Sequence, residues 1–187
     1  MSKLKLTLLK EIAESQTGPF GSQLHQEDYV EEGTPIVTVE HLGETGFTLN
    51  NLPKVSDKDK QRLSKYILKE GDIVFARTGA SVGKSYLYNS KDGNLYYAGF
   101  LIRFSIRNAD AYFIYSLTLK ESYNKWVHIY SMRSGQPGLN AEEYKAFSIL
   151  LPCTKEQNKI ANFIISLDKK IANTENQIQQ TKKKKKS

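Results

Sequence analysis

Residues 152–181 read PCTKEQNKIANFIISLDKKIANTENQIQQT and carry a long helical pattern. Apolar or small residues recur at gaps that alternate between four and three, the spacing that turns one helix face into a seam for a second helix. The seam positions are Ile160, Ile164, Leu167, Ile171, Thr174, Ile178 and Thr181. A helix of roughly 27 residues is about 40 Å long. Because a domain of this size does not cover such a helix, the pattern predicts a helix that packs against a second surface.

The composition of the seam predicts where pairing is firmest. β-Branched residues at alternate core positions favour two-stranded parallel pairs, although that preference does not transfer safely to antiparallel helices. Two threonines weaken the C-terminal part, so the firmest pairing is expected between Ile160 and Ile171. We assign dimerisation to the aliphatic seam residues Ile160, Ile164, Leu167, Ile171 and Ile178. The alternative is a helix that folds back on its own domain.

Composition places the chain among cytoplasmic globular proteins. Its 187 residues, 39% of them hydrophobic, suffice for one domain, or one domain with an appendage. No apolar run approaches the roughly 18 residues of a membrane span, and the N-terminus lacks the apolar segment of a secretory signal. The single Cys153 excludes an internal disulfide and fits a reducing compartment. One cysteine and three scattered histidines offer no zinc ligand set, so no metal site is predicted.

The positive charge of the chain is concentrated at its end. The net charge is +7, which by itself favours a nucleic-acid partner. Five of the 27 basic residues are the terminal run Lys182 to Lys186, and without them 22 basic residues face 20 acidic ones. A DNA-binding face must therefore come from local clustering in the body. The lysine run itself is expected to be a solvated, disordered end, with a non-specific phosphate-binding tail as the alternative.

The rest of the chain predicts an α+β fold with short, largely antiparallel strands. Short apolar runs predict strands at residues 36–39, 73–76, 86–88, 97–104 and 147–151. Leu4, Leu6 and Leu8 alternate with polar residues as in a half-buried strand. Helical patterns occupy residues 57–64, 110–119 and 122–130. Since no βαβ order repeats, the one clear boundary lies near Pro152. It separates a body (1–152) from the long helix (153–181) and a basic tail (182–187).

Several helix starts are marked by capping residues. Asp110 precedes one helical pattern, and Ser122 opens the next. Asn140 with Glu143 has the spacing of a capping box. Thr154 with Gln157 repeats that spacing where the long helix begins.

Three polar loops that contain glycines are the candidate nucleic-acid contacts, and two of them also contain a proline. Residues 79–85, GASVGKS, look like a phosphate-binding P-loop, but have three residues between the glycines where four are needed, and they lead into a strand. The loops at residues 16–23, 77–85 and 133–140 carry side chains suited to phosphates and base edges. The predicted DNA contacts are Arg77, Thr78, Ser81, Lys84, Arg133, Gln136, Gln16 and Gln23. The alternative is a set of solvated turns in which Asn140 serves only as a helix cap.

The sequence offers no catalytic constellation. It contains neither a glycine-rich methyl-donor loop nor the Asn-Pro-Pro-aromatic or Asp-Pro-Pro-aromatic tetrapeptide of amino-methyltransferases. No histidine lies near a serine or cysteine nucleophile signature, so a non-catalytic protein is predicted. Aromatic residues at strand or helix spacing are interpreted as core rather than as a base-stacking platform; they are Tyr96, Tyr97, Phe100, Tyr112, Phe113, Tyr115 and Trp126.

An ordered set of stretches resembles the specificity subunits of type I restriction-modification systems. These are residues 12–24 (IAESQTGPFGSQL), 68–84 (LKEGDIVFARTGASVGK), 135–140 (GQPGLN), 150–161 (LLPCTKEQNKIA) and 166–171 (SLDKKI). The resemblance implies a target-recognition domain over residues 1–152 that reads one half of a bipartite DNA site. It also implies a spacer helix over 153–181 that pairs with a second spacer. Modification subunits that bind S-adenosylmethionine would dock there and restriction subunits join them, while this chain would bind no cofactor.

Family members carry two recognition domains and two spacers, whereas this chain has one of each. We therefore expect a homodimer through antiparallel long helices, reading a palindromic bipartite site. Family sequences continue with leucines where this chain has five lysines, so the lysine run is expected to mark a truncated end. The alternative is a protein-interaction module or decoy that pairs with another specificity subunit without binding DNA.

Overall fold

The computed structural model describes residues 3–20, 23–43, 46–56 and 60–184. The strands are β1 (Lys5–Leu8), β2 (Ala13–Thr17), β3 (Tyr29–Val30), β4 (Thr34–Val37), β5 (Leu42–Gly43), β6 (Gly46–Phe47), β7 (Lys54–Val55), β8 (Asp72–Ala76), β9 (Ser85–Leu87), β10 (Tyr96–Tyr97), β11 (Leu101–Ile106) and β12 (Ser148–Leu151). The helices are α1 (Leu9–Ile12), α2 (Lys60–Leu63), α3 (Ala111–Thr118), α4 (Glu121–Ser131), α5 (Ala141–Lys145) and α6 (Thr154–Lys184). The predicted α+β class is confirmed. The helix predicted at residues 57–64 lies partly outside the described residues.

A four-stranded antiparallel sheet in the order β2-β11-β8-β9 forms the middle layer. Successive residues of β8 point to opposite faces, as they must in a strand. Ile73 and Phe75 join a core beneath the helices, whereas Val74 and Ala76 join a second core. The second core is shared with the sheet β10-β4-β7-β3. Because β8 is covered on both faces, its sequence is a continuous apolar run rather than an alternating one.

Strand pairing is antiparallel throughout the described sheets except between β10 and β4, which run parallel. The predominance of antiparallel pairs agrees with the sequence-based expectation. It also has a geometric consequence, since the end of one strand and the start of its neighbour lie at the same edge of the sheet.

The N-terminal strand does not bury its leucines, contrary to the expected pattern. β1 pairs with β12 as a two-stranded ribbon, with Leu6 opposite Leu150 and Thr7 opposite Ile149. Leu6 and Leu150 are exposed, whereas Thr7 and Ile149 are buried. Cross-strand partners share a face, so the ribbon turns its Thr7–Ile149 face inward and leaves the leucine face outward.

The capping predictions divide into correct and wrong ones. The Asp110 side chain accepts from the Phe113 amide at 2.7 Å, as predicted. Asn140 and Glu143 form the expected capping box, with bonds of 2.7 and 2.9 Å. Ser122 is not a cap, because α4 already begins at Glu121.

The start of α6 is built differently from the predicted capping box. The amide groups of Glu156 and Gln157 donate to the carbonyl of Cys153, and the helix begins at Thr154. The buried Gln157 side chain instead accepts from the Asp110 amide at 3.0 Å and donates to the Pro152 carbonyl at 2.9 Å. Gln157 thus ties the base of α6 to the start of α3.

The long helix is confirmed and protrudes from the body. α6 has 31 residues, which corresponds to about 46 Å. Its first turns pack on the body through Gln157 and Ala161, and Tyr112 on α3 is hydrogen-bonded to Asp168. Lys182 to Lys184 continue the helix, although a disordered end was expected from residue 182 onward. No helix in the described ranges combines the length and apolar character that crossing a membrane requires.

Candidate nucleic-acid interface

Three segments meet at one end of the middle sheet because its strands are antiparallel. Residues 18–20 follow β2, residues 77–84 connect β8 to β9, and residues 98–100 precede β11. The Gly18 amide donates to the Leu101 carbonyl and the Arg77 amide to the Phe100 carbonyl, both at 3.0 Å. Chain segments that are about 80 residues apart in sequence therefore lie side by side.

The loop at residues 133–140 reaches the same end by docking onto residues 77–79. Thr78 forms an isolated antiparallel bridge with Gly138. The Gly79 amide donates to the Pro137 carbonyl at 3.0 Å, and the Leu139 amide to the Arg77 carbonyl at 2.8 Å. These backbone bonds bring together two of the loops that sequence analysis selected separately.

A cleft of about 270 Å³ lies between these two loops. Its walls include four of the eight predicted DNA contacts, Arg77, Thr78, Arg133 and Gln136. The 77–84 loop also borders a wider groove of about 850 Å³, which includes Lys84. This loop, which lines both concavities, is called the ridge; within it Ser81 donates to the Leu42 carbonyl at 3.4 Å.

The Arg77 guanidinium is available to bind an anion or a hydrogen-bond acceptor. Its guanidinium lies 5.3 Å from the centre of the Phe20 ring, in a cation–π arrangement. Within the described ranges it makes no hydrogen bond or ion pair, and its shielded Nε has no partner. The Lys84 ammonium likewise lacks an ion-pair partner among the residues described. Both cations are therefore free to meet a phosphate or a base acceptor.

Two buried tyrosines hold the ridge in place. The Tyr144 hydroxyl accepts from the Gly83 amide at 3.0 Å and donates to the Ala76 carbonyl at 2.7 Å. The Tyr123 hydroxyl donates to the Gly83 carbonyl at 2.7 Å. Gly83 has φ +86°, and a Cβ there would lie 2.5 Å from Val127. The left-handed backbone and the close packing both require glycine at this position.

Replacing Tyr144 with phenylalanine is expected to lower the free energy of unfolding by about 1–2 kcal/mol. The change removes the hydroxyl that binds both the Ala76 carbonyl and the Gly83 amide in a buried site, and leaves these two groups only their direct bond of 3.1 Å. Urea unfolding followed by circular dichroism measures the loss. Tyr130→Phe is the matched control, since Tyr130 is exposed on α4 and should show no change. Equal midpoints for the two variants would show that the hydroxyl does not hold the ridge.

The arginine of the second loop is engaged, contrary to expectation. Arg133 was selected because it had no evident capping role. Its Nη2 donates to both carboxylate oxygens of Glu143 at 2.6 and 2.7 Å, and its Nε donates to the Gly138 carbonyl at 3.0 Å. Since Glu143 belongs to the Asn140 capping box, Arg133 holds the loop in shape. Gln136 has no such bond to any residue that the structure describes, and its amide nitrogen lies beside Gly79.

The two glutamines of the first loop support the structure in a similar way. Gln16 lies in β2 rather than in a loop, and its Oε1 accepts from Arg103 Nη2 at 2.7 Å. The Oε1 atom of Gln23 accepts from the Tyr66 hydroxyl at 2.5 Å. Gly21 and Ser22 of this loop lie outside the described residues. Contact of Gln16, Gln23 or Arg133 with DNA stays a prediction. In the structure each of these side chains already has another hydrogen-bond partner.

An ion pair between Arg62 of α2 and Asp28 is expected to respond to acid. Arg62 donates to the Asp28 carboxylate at 2.7 Å and to the Gln23 carbonyl at 2.8 Å. The hydrogen bond from Arg62 holds the pKa of Asp28 below its usual value of 3.8. Because the folded-state pKa is lowered, the contribution is complete above about pH 4 and is lost as pH falls through the folded-state pKa.

Asp28→Asn is therefore expected to lower stability at pH 7 by up to about 1 kcal/mol and to lose less stability on acidification than the wild type. Urea unfolding at pH 7 and at pH 3 measures both effects. Glu27→Gln, a change of the neighbouring exposed carboxylate, is the control and should leave both values unchanged. A steep acid dependence that survives in Asp28→Asn would assign the effect to another group.

Two exposed phenylalanines at the same end were missed by sequence analysis. Phe100 was assigned to the core and is 54% exposed, so that assignment is wrong. It lies in the turn before β11, where the strand pattern no longer governs burial. Phe20 is 42% exposed and stands next to it. Tyr96, Tyr97 and Phe113 are buried as predicted, and Tyr112, Tyr115 and Trp126 pack partly buried against the core.

The seam of α6 is exposed along one stripe. Ile160, Leu167, Ile171 and Ile178 are 40–55% exposed. Ile164 is half-buried toward the body, and Phe163, which the heptad pattern did not select, is 63% exposed beside the stripe. The alternative of a helix folded back on its domain holds for the first turns, which contribute Gln157 and Ala161 to the body, but not for this stripe.

Comparison with known proteins identifies the family. The sequence model described as "Type I restriction modification DNA specificity domain" matches residues 1–183. The chain belongs to this family. The specificity-domain chain is 27% identical over 159 residues to the putative type I restriction enzyme MjaX specificity subunit of Methanocaldococcus jannaschii. The match covers 82% of the chain but 37% of that relative, so the chain spans less than half of its length.

Solved structures share the fold of this specificity-domain chain. The type I restriction-modification S subunit from M. genitalium superposes with a TM-score of 0.65 at 15% identity, covering 92% of this chain and 41% of that one. The HsdS subunit from Thermoanaerobacter tengcongensis gives 0.64 at 15% identity, covering 91% and 38%. At this level of identity the likeness concerns the fold.

Proposed function

We propose that the chain is the DNA-recognising half of a type I specificity subunit and that two copies pair through α6. The observation that carries the proposal is the convergence of the 77–84 and 133–140 loops at one end of the sheet, with the Arg77 and Lys84 charges unpaired among the described residues. The proposal places residues 1–152 at the DNA and α6 between the two copies.

The chemistry of the loops suits double-stranded DNA. An arginine guanidinium pairs bidentately with guanine, and a glutamine amide pairs with adenine, in the major groove. Arg77 and Gln136 line the same cleft, so base readout is assigned to them. Lys84 lines the wider groove and is assigned to a phosphate, together with the hydroxyl of Thr78 or Ser81.

The exposed stripe of α6 suits an antiparallel pair. If the two-fold axis passes at Leu167, this residue faces its own copy, and Phe163 faces Ile171 of the second chain. Ile160 then faces Thr174. The weaker C-terminal part of one seam, which contains the threonine, thus pairs with the more apolar N-terminal part of the other. Two identical halves related by a two-fold axis read a palindromic bipartite site.

The remaining partners follow from the family rather than from the geometry. We propose that modification subunits carrying S-adenosylmethionine dock on the paired helices, that restriction subunits join them, and that this chain contributes recognition without catalysis in the cytoplasm. The M. jannaschii relative, named as a specificity subunit of a restriction enzyme, supports this assembly.

Co-expression with the cognate modification subunit, followed by single-molecule methylation sequencing, tests the proposal. A palindromic bipartite motif is the expected result. A non-palindromic motif would show that a different half-subunit supplies the second site. Absence of any methylation motif, with the chain still bound to another specificity subunit, would replace the proposal by the decoy alternative.

A further inference from the structure

The exposed Phe20 and Phe100 rings form an apolar knob at the end of the sheet where the loops converge. Their centroids are 6.0 Å apart with the planes at 83°, an edge-to-face pair. Arg77 lies over the face of Phe20 and thereby connects the knob to the cleft. Two half-exposed phenylalanines beside the Arg77 guanidinium are not explained by the packing of the core.

Close approach of the backbone adds to the side-chain contacts that hold the knob. A Cβ on Gly18 would lie 2.1 Å from the Ala98 carbonyl oxygen, and one on Gly99 would lie 2.6 Å from the Phe20 ring. The Arg77 amide donates to the Phe100 carbonyl at 3.0 Å. The two rings therefore stand on the rigid ends of β2, β8 and β11. A preorganised apolar group loses little entropy when it binds.

We propose that the Phe20–Phe100 knob contacts the C5-methyl groups of thymine in the major groove of the half-site. The thymine methyl is the apolar feature that the major groove displays, and phenylalanine is among the residues that contact it. The inference rests on the proposed function and adds a base-type preference to it. The Arg77 guanidinium beside the knob would bind an adjacent guanine or phosphate.

The dimensions favour the major groove over the other modes of apolar contact. A pair of rings with centroids 6.0 Å apart is wider than the rise of about 3.4 Å per base pair, so it does not insert between stacked bases as a unit. The minor groove, about 6 Å wide, leaves no room for both rings, whereas the major groove is about 12 Å wide.

The test uses the complex with its modification subunit and the half-site found by methylation sequencing. Each thymine is replaced in turn by deoxyuridine, which lacks only the methyl group, and the dissociation constant is measured. We expect about a fourfold loss at one or two positions, the effect of exposing one buried CH₂-sized group. In Phe20→Ala with Phe100→Ala, the thymine and deoxyuridine sites should bind equally.

A matched control separates this effect from a general one. Leu6→Ala removes an equally exposed apolar side chain from the β1–β12 ribbon and should keep the preference for thymine. Specific binding that is indifferent to every thymine methyl, or a half-site without thymine, overturns the inference and leaves the proposed function intact. A wild-type complex that shows no sequence-specific binding to DNA overturns both the inference and the proposed function.

Discussion

Leu167→Glu with Ile171→Glu is expected to separate the paired chains into monomers. Both side chains are exposed on α6, and in the antiparallel arrangement each meets an apolar residue of the second copy. A symmetric dimer would lose four apolar side chains from its seam. Because these side chains are already about half covered in the single chain, each contributes about 0.8 kcal/mol. The total of about 3 kcal/mol weakens pairing by more than a hundredfold. Like charges facing each other at Leu167 add to the loss.

Sedimentation velocity or light scattering at tens of micromolar measures the outcome. The wild-type chain should have twice the monomer mass of 21.3 kDa, and the variant should have that mass itself. Asn162→Glu with Ser166→Glu is the matched control, because it adds the same charge to exposed positions of α6 outside the stripe. It should remain dimeric. A wild-type chain that is monomeric at this concentration would refute pairing through α6.

Arg77→Ala with Lys84→Ala is expected to weaken DNA binding more than tenfold and to flatten its salt dependence. Each cation that neutralises a phosphate releases a counterion, so the slope of log affinity against log salt should fall by about one for each lost phosphate contact. If Arg77 instead reads a guanine, the slope falls by about one and discrimination at one base pair is lost as well. Neither side chain has a polar partner among the described residues, so the loss of stability should not exceed the roughly 1 kcal/mol of the cation–π contact between Arg77 and Phe20.

Binding of the assembled complex to its site, measured at several salt concentrations, tests this prediction. Lys10→Ala with Lys91→Ala removes two exposed lysines from outside the three loops and should leave affinity and slope nearly unchanged. Unchanged binding by Arg77→Ala with Lys84→Ala would exclude the ridge from the interface.

Most features that depend on residues close together in the sequence were predicted correctly, whereas several that depend on distant residues were not. The seam period, the Asp110 cap and the Asn140–Glu143 box depend on residues within a few turns of one another, and the structure confirms the helix and both caps. The Thr154–Gln157 box failed because Asp110, far along the chain, takes the Gln157 side chain as its partner. Local spacing does not reveal such a competitor.

The candidate site shows the same division. Composition picked out the 77–85 and 133–140 loops, since glycines and polar side chains occur together in each. Their meeting depends on backbone bonds between residues 77–79 and 137–139, which no local pattern specifies. Arg133 was chosen as a DNA contact because no capping role was evident, and in the fold it binds the capping residue Glu143.

Amino-acid order therefore accounts for the long helix, its apolar stripe and the chemistry of the loops, because these arise from neighbours along the chain. Whether a side chain is exposed, and whether a charged group is free to bind a ligand, depends on packing between segments that are distant in the sequence. Phe100 continues an apolar run but ends at the surface beside Phe20, since the turn before β11 lies at the edge of the middle sheet. The Arg77 guanidinium has no ion-pair partner among the described residues because the folded chain brings an aromatic ring, rather than a carboxylate, to its side.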